Sequence, residues 1–405
     1  MTTPDVLFIG GGLIGLASAW QLARAGVQVT VVDPQPGRGA SNVAAGMLAP
    51  VTEVVYGEEG RLAFNIAAAR RWPSFATELT NATGHDIGYR DTGTLLVGFD
   101  DDDATALGDL HAFHTELGLE VARLRGREAR ARESMLSPRV RVGLVAGEDH
   151  RTDPRATVAA LLEACNAVGV TIDRRQVARL DHDHRRVTGV TTADGEVLPA
   201  GQVLLAAGAW SATIEGLPDE DRPPVRPLKG QVLHLRDPSG QQVLATTVRG
   251  LVRHRSVYLV PRDDGELLIG ASQEERGFET YVRAGATREL LDDAARIVPG
   301  VDELELTETI AGLRPTTPDN APVIGHGSLE GLLLATGHHR NGVLLTAITA
   351  DAVTALATGA EPDPVLSVAS PDRPALKTRE GRHDRPHSGL ETLLAENRGT
   401  TGGVR

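Results

Sequence analysis

The sequence predicts an α/β protein in which a domain built on a parallel sheet is interrupted by an α+β domain with a mostly antiparallel sheet. Three observations carry this. The chain opens with a short apolar run, Val6-Leu7-Phe8-Ile9, that passes at once into Gly10-Gly11-Gly12-Leu13-Ile14-Gly15 and then into a helical period. The passage of buried strand into glycine turn returns at Val203 to Trp210. Between Leu233 and Ser272, alternating strand signals are broken by Asp237-Pro238-Ser239-Gly240 and Asp263-Asp264-Gly265, the punctuation of antiparallel hairpins.

Taken in order, Leu16, Ala17, Trp20 and Ala23 recur at helical spacing between Leu13 and Ala25, Gly26 ends the segment as a C-cap would, and Val27 to Val32 reads as the next strand. That is a βαβ unit. After Asp33 the run Pro34 to Pro50 is rich in small residues without a period, and a helix is expected from about Gly60 to Thr80. From Asp86 to Asp149, short strand patterns such as Thr94-Leu95-Leu96-Val97 mix with Arg- and Glu-rich helical stretches and carry no recognisable motif. Asp153-Pro154-Arg155 starts a helix with Val158, Leu161 and Leu162 on one face, Val170 to Ile172 reads as a strand, and Ala193-Asp194-Gly195 as a hairpin turn. A last helix is expected over Gly342 to Thr358, before a polar tail expected to be mobile from about Pro371. These elements divide the chain into a first domain formed by residues 1–85, 150–218 and 315–368, a second formed by 86–149 and 219–314, and a mobile polar tail, 369–405.

The composition narrows the function. With 405 residues, 41% hydrophobic and 23% charged, the chain is long enough for two cores and is neither fibrous nor disordered. Its net charge of −13 repels phosphate backbones and anionic lipid, which argues against nucleic-acid or membrane partners and for a small-molecule enzyme. The single cysteine, Cys165, can form no internal disulfide and no cysteine metal cluster. With no basic leader before an apolar run and no apolar stretch long enough to span a bilayer, a cytoplasmic protein is expected.

Gly10, Gly12 and Gly15 form G-x-G-x-x-G between a strand and a helix. The first glycine permits the tight turn, the second lets a pyrophosphate approach the backbone, and the third lets helix and strand pack closely. Asp33 ends the second strand, where a carboxylate accepts hydrogen bonds from ribose hydroxyls and repels a 2′-phosphate, so NADP is disfavoured. The fingerprint does not separate FAD from NAD. The small side chains of Gly39-Ala40-Ser41-Asn42-Val43-Ala44-Ala45-Gly46-Met47 would let backbone pass along an extended cofactor, as FAD requires.

Two further runs, Gly312-Leu313-Arg314-Pro315 and Gly337-His338-His339-Arg340-Asn341-Gly342, each hold an arginine, whose planar fork of donors matches a carboxylate. Without further context, a surface salt bridge is the plainer role for either arginine. The helix expected after Gly342 would turn its positive end toward the preceding loop, with the right sign to stabilise negative charge on a reduced flavin. Asp181-His182-Asp183-His184 reads as a solvated turn, His338 and His339 as neighbours whose side chains diverge, and Cys165 as core, so no metal site is expected.

At these residues the chain resembles the flavin-dependent amine and amino-acid oxidoreductases, a family that includes D-amino-acid oxidase, sarcosine oxidase and glycine oxidase. The resemblance runs from Val6 to about Thr358. Its most specific pieces are the N-terminal glycines, Ala44 to Leu48, Val257-Tyr258-Leu259-Val260-Pro261-Arg262, Gly312 to Pro315 with Thr317-Pro318-Asp319, and Gly337 to Gly342. Together they look most like the glycine oxidases of thiamine biosynthesis.

The resemblance implies a Rossmann-like FAD-binding domain and a substrate domain whose antiparallel sheet covers the flavin. It implies Arg314 as carboxylate anchor, Tyr258 as a hydroxyl donor to the same carboxylate, and Arg340 close to substrate and flavin. The implied cofactor set is Gly10, Gly12, Leu13, Ile14, Gly15, Asp33 and Pro34, then Ala40 and Ser41 at the phosphates and Ala45, Gly46 and Met47 at the isoalloxazine. Val177 would meet adenine through its backbone, with Gly208, His338, His339, Asn341, Gly342, Val343 and Leu344 completing the set. No cysteine stands near Gly312, where several relatives attach flavin covalently, so FAD is expected to be non-covalent.

The implied reaction is oxidative deamination of a small amino acid, glycine foremost, to glyoxylate, ammonia and hydrogen peroxide, with dioxygen as acceptor. Alternatives are a D-amino-acid or N-methyl-amino-acid (sarcosine) oxidase or dehydrogenase, a nicotinamide-dependent dehydrogenase, or a non-catalytic FAD-binding subunit. A homo-oligomer is compatible with each.

Overall fold

The computed structural model describes residues 4–377. The opening apolar run forms the strand Val6–Ile9 inside a six-stranded sheet, ordered Val323–His326, Leu332–Thr336, Gln202–Leu205, Val6–Ile9, Val29–Val32, Thr171–Asp173. Every neighbouring pair is parallel except Val323–His326 with Leu332–Thr336. Burial on both faces explains why these strands read as continuous apolar runs. Phe8, Leu16, Trp20, Trp72, Leu161 and Leu333 share a core with the helices Leu13–Arg24, Leu62–Thr83, Pro154–Ala167 and Thr346–Thr358. On the other face Leu7, Ile9, Val203 and Leu205 pack against Val177, Leu180 and Val190 of a three-stranded antiparallel meander.

The second sheet has eight strands, ordered Glu305–Thr316, Arg226–Arg236, Glu266–Gly270, Arg255–Pro261, Thr247–Val252, Thr94–Gly98, Val142–Ala146, Val121–Arg125. It is antiparallel throughout except where Thr247–Val252 runs parallel to Thr94–Gly98. The two-residue alternation is visible in Thr94–Gly98: Leu95 and Val97 face the core under helix Ala284–Ile297, and Leu96 faces the cluster under helix Asp101–Glu116. Strand Glu305–Thr316 continues past residue 314, where the second domain was expected to end. Its far end delivers Arg314 to the contact between the two sheets.

Two expectations need correction. The last helix begins at Thr346, not Gly342, because Val343 to Leu345 form hydrogen-bonded turns, with Leu345 N–H donating to Asn341 O and Thr346 N–H to Val343 O. The segment after residue 369, expected to be mobile, is seated through Leu376: Arg373 is buried and donates to both carboxylate oxygens of Asp319 and to the carbonyls of Ala321 and Pro322, which holds Ser370 to Leu376 against the parallel sheet. The rest of the expected tail, 378–405, lies outside the described residues.

Candidate active site

A cavity of about 790 Å³ runs from the N-terminus of helix Leu13–Arg24 to the inner end of the eight-stranded sheet. The glycine turn shapes its first end. A Cβ on Gly10 would fall 2.4 Å from Ala206 O, and one on Gly15 would fall 2.0 Å from Gly10 O, so the turn closes only with glycine at both positions. Helix Leu13–Arg24 has no side-chain cap from Gly12 and no acidic residue in its first turn. Its one local side-chain partner is Ser41, whose Oγ accepts from Leu13 N–H at 3.0 Å. The remaining first-turn amides and the positive helix end thus face the cavity, the arrangement that receives a pyrophosphate. Asp33 accepts from Gly11 N–H (2.7 Å) and Gln35 N–H (2.8 Å), which fixes the carboxylate while leaving lone pairs for hydroxyls.

Midway, Ala40 to Ser41 and Val43 to Met47 form one wall, Gln176 to Ala178 with Gly208 another, and His338 to Val343 a third. The Ala45–Gly46 turn is held from the second domain. Arg262, nearly fully buried, donates to Ala45 O (2.7 Å) and Thr152 O (3.0 Å), and Gly46 is confined at φ +86° with no room for a Cβ beside Thr152 O. His338 is hydrogen-bonded with Thr349 Oγ1 and His339 with Thr316 Oγ1, so the two rings diverge. Burial pulls His338 down to about 3, and burial together with Arg340, Arg314 and Arg61 holds His339 well below its usual value, so both are neutral at pH 7.

The far end is cationic. Arg314 donates to Ser272 O at 3.2 Å and is hydrogen-bonded to Tyr258. Glycines on neighbouring strands make room for this pair: a Cβ on Gly230 would lie 2.4 Å from Arg314 Nη1, and one on Gly270 would lie 2.2 Å from Tyr258 Oη. Burial pushes the Tyr258 hydroxyl up, so it remains a donor. Arg340 reaches the same region, but its fork is taken. Nε meets Glu53 Oε2 at 2.6 Å, Nη2 meets Glu58 and the Glu53 carbonyl, and Glu58 is in turn held by Arg61. Arg249 Nη2 meets the other oxygen of Glu53 at 3.1 Å, while its Nη1 donates to Thr52 O at 2.6 Å. Burial alone would raise the Glu53 carboxyl; Arg249 and Arg340 outweigh it and hold the group below the usual carboxylate range.

Of the residues expected at the site, nearly all line this one cavity. Gly15 does not, because it packs helix against strand. Leu344 does not either: its side chain belongs to the core and its carbonyl accepts from Trp72 Nε1. Glu53, Arg249, Gly230 and Gly270 were not anticipated. Glu53 sits in a loop without a period, and the other three are brought in by strand register, which single-sequence patterns do not fix.

Residues 5–356 match the family of FAD dependent oxidoreductases. The chain is 34% identical over 375 residues to the bifunctional protein ThiO/ThiG of Synechocystis sp., covering 92% of this chain and 54% of that protein. It thus spans about half the length of this relative. It is 31% identical over 349 residues to glycine oxidase of Geobacillus kaustophilus, covering 85% of this chain and 90% of the enzyme. The crystal structure of glycine oxidase from that organism superposes with a TM-score of 0.84 at 29% identity, over 92% of this chain and 99% of that one. Iminodiacetate oxidase from Chelativorans sp. gives a TM-score of 0.80 at 26% identity, over 91% of this chain and 100% of that chain. No helix among the described residues is long and apolar enough to cross a membrane. The glycine turn, the cavity that joins the two sheets and these similarities lead to one conclusion: the chain belongs to the FAD dependent oxidoreductase family.

Proposed function

We propose that the chain is an amino-acid oxidase that converts a small amino acid, glycine foremost, to the α-keto acid and ammonia, with dioxygen as acceptor and hydrogen peroxide as product. One observation carries the reading. At the end of the cavity away from the dinucleotide turn, Arg314 is paired with neutral groups only, the Ser272 carbonyl and the Tyr258 hydroxyl. No carboxylate touches this guanidinium, because Glu53, whose charge reaches it, spends both oxygens on Arg249 and Arg340; the free fork of Arg314 therefore invites an anion and suits a carboxylate.

The residues present fit FAD. The amides at the start of helix Leu13–Arg24, Ile14 among them, would hold the pyrophosphate, with Leu13, Ala40 and Ser41 beside it, and the Asp33 carboxylate would hold the ribose hydroxyls. Val177 would meet adenine through its backbone, and Ala45 to Met47 with His338 to Val343 would hold the isoalloxazine. Cys165 lies in the core with its Sγ directed at Leu16 O, away from the cavity, and so offers the cofactor no cysteinyl bond. When bound, FAD supplies a hydride acceptor at N5 and a route for electrons to dioxygen.

The chain's own part is positioning and electrostatics. Arg314 and Tyr258 fix the substrate carboxylate, which leaves the α-carbon one orientation. Burial makes His338 and His339 very weak bases, and Glu53 is engaged by two arginines, so among the described residues no effective base stands at this end. The substrate is therefore oxidised with its amine already deprotonated, the proton having gone to solvent. Water then hydrolyses the imino acid after release, so glycine, dioxygen and water give glyoxylate, ammonia and hydrogen peroxide.

The test is the visible spectrum of the flavin-loaded protein under anaerobic conditions, with glycine, sarcosine and D-alanine added in turn and air admitted afterwards. Bleaching by glycine, with colour and peroxide returning in air, supports the reading. Bleaching by sarcosine or D-alanine alone moves the substrate within the family, and flavin that stays reduced in air replaces oxidase by dehydrogenase. Acid precipitation is expected to leave the flavin in the supernatant.

A further inference from the structure

The substrate end of the cavity is lined by three arginines, Arg249, Arg314 and Arg340, and a small amino acid has one carboxylate to offer. Two of the three are already matched. Glu53 divides its oxygens between Arg249 (3.1 Å) and Arg340 (2.6 Å), and Arg340 has Glu58 as a second partner. Of the three, Arg314 alone touches no carboxylate. Glu53 is nearly buried, lines the same cavity, and its charge acts on both Arg314 and Tyr258.

We propose that Glu53 is a specificity-determining residue: by neutralising Arg249 and Arg340 it confines the site to amines bearing one carboxylate and turns away those bearing a second. The inference rests on the reading of Arg314 as the carboxylate anchor. A second carboxylate entering beside the first would meet the Glu53 carboxylate in a water-poor cavity, where like charges repel strongly, and would find the forks of Arg249 and Arg340 occupied. Without the Glu53 charge, Arg249 would become a second anchor. Its position is already set, because Nη1 donates to Thr52 O, and Thr52 donates through its hydroxyl to Asp149.

Acetate and malonate test this on the holoenzyme without turnover, by titration of the flavin absorbance. In the wild type, malonate is expected to bind at least tenfold more weakly than acetate. In Glu53→Gln, which keeps the shape and removes the charge, malonate should gain at least tenfold relative to acetate. In Glu53→Gln/Arg249→Met that gain should vanish. A wild type that binds malonate as tightly as acetate overturns the proposal without any variant, and so does a Glu53→Gln protein with an unchanged malonate-to-acetate ratio. A wild type whose spectrum responds to neither ligand would instead remove Arg314 as anchor, and the proposal with it.

Discussion

Arg314 and Tyr258 share one carboxylate in the proposed reaction, and their chemistry ranks the cost of losing each. The contact with Arg314 is charge-assisted and bidentate, worth about 1.5–3 kcal/mol. Arg314→Ala is therefore expected to raise KM for the amino acid roughly 10- to 150-fold. Tyr258 contributes a neutral hydroxyl, worth about 0.5–1.5 kcal/mol, so Tyr258→Phe should raise KM by roughly 2- to 10-fold. Steady-state peroxide assays across glycine concentrations measure both. The order of the two effects is the informative part: a tyrosine variant weaker than the arginine variant would show that the carboxylate docks elsewhere.

At the scale of elements, the site depends on the register of antiparallel strands. Gly230 lies opposite Gly312 on the neighbouring strand, and Gly270 opposite Tyr258, so two glycines leave the space that the functional side chains fill. Gly230→Ala tests this. The backbone at Gly230 does not require a positive φ, and the added methyl meets only the far end of the Arg314 side chain, so the sheet should tolerate it. The unfolding temperature should stay within about 3 °C of the wild type, while displacement of the guanidinium should raise KM by a factor of the order of ten or more. Equal losses in stability and activity would mean that Arg314 is part of the sheet's packing. The same register marks the limit of what the sequence makes legible. The βαβ unit and the glycine turn are readable because strand period and glycine spacing are local patterns, whereas the Gly-Leu-Arg-Pro run by itself reads as a surface salt bridge and Arg314 stands out only through the family resemblance. Gly230 and Arg249 acquire meaning only from strands far away in sequence. The side chain of Leu344 is turned into the core by the non-helical turn before Thr346, which no local pattern announces.

At the scale of the whole molecule, buried polar groups tie the segments around the two large sheets together, and Asp149 is the most consequential of them. It follows the strand Val142–Ala146 of the eight-stranded sheet and accepts from Val51 N–H (3.0 Å), Thr52 N–H (3.2 Å) and the Thr52 hydroxyl, in the loop that leads to Glu53. Burial pushes its carboxyl up from 3.8 to about 6, against the opposing pull of these donors and Arg249. A carboxyl that holds its proton more tightly when folded than when unfolded stabilises the fold fully below the unfolded value and loses that contribution as pH rises through the folded one. Between pH 4 and 6 Asp149 should therefore tilt stability downward with rising pH, by about 3 kcal/mol over the window. The carboxylates that arginines hold low, Glu53, Glu274 and Asp319 among them, tilt it the other way. The absolute profile is thus a sum, and the contribution of Asp149 is isolated by difference. Asp149→Asn removes the titration and keeps one acceptor oxygen. It is expected to be less stable than the wild type throughout, with a deficit that is largest near pH 4 and narrows toward pH 6, because only the wild type gives up stability there. Unfolding curves of both proteins at half-unit pH steps measure the gap. A gap that stays constant would mean that the Asp149 carboxyl is already ionised at pH 4, and that the junction between the domains is held by a charged, rather than a protonated, Asp149.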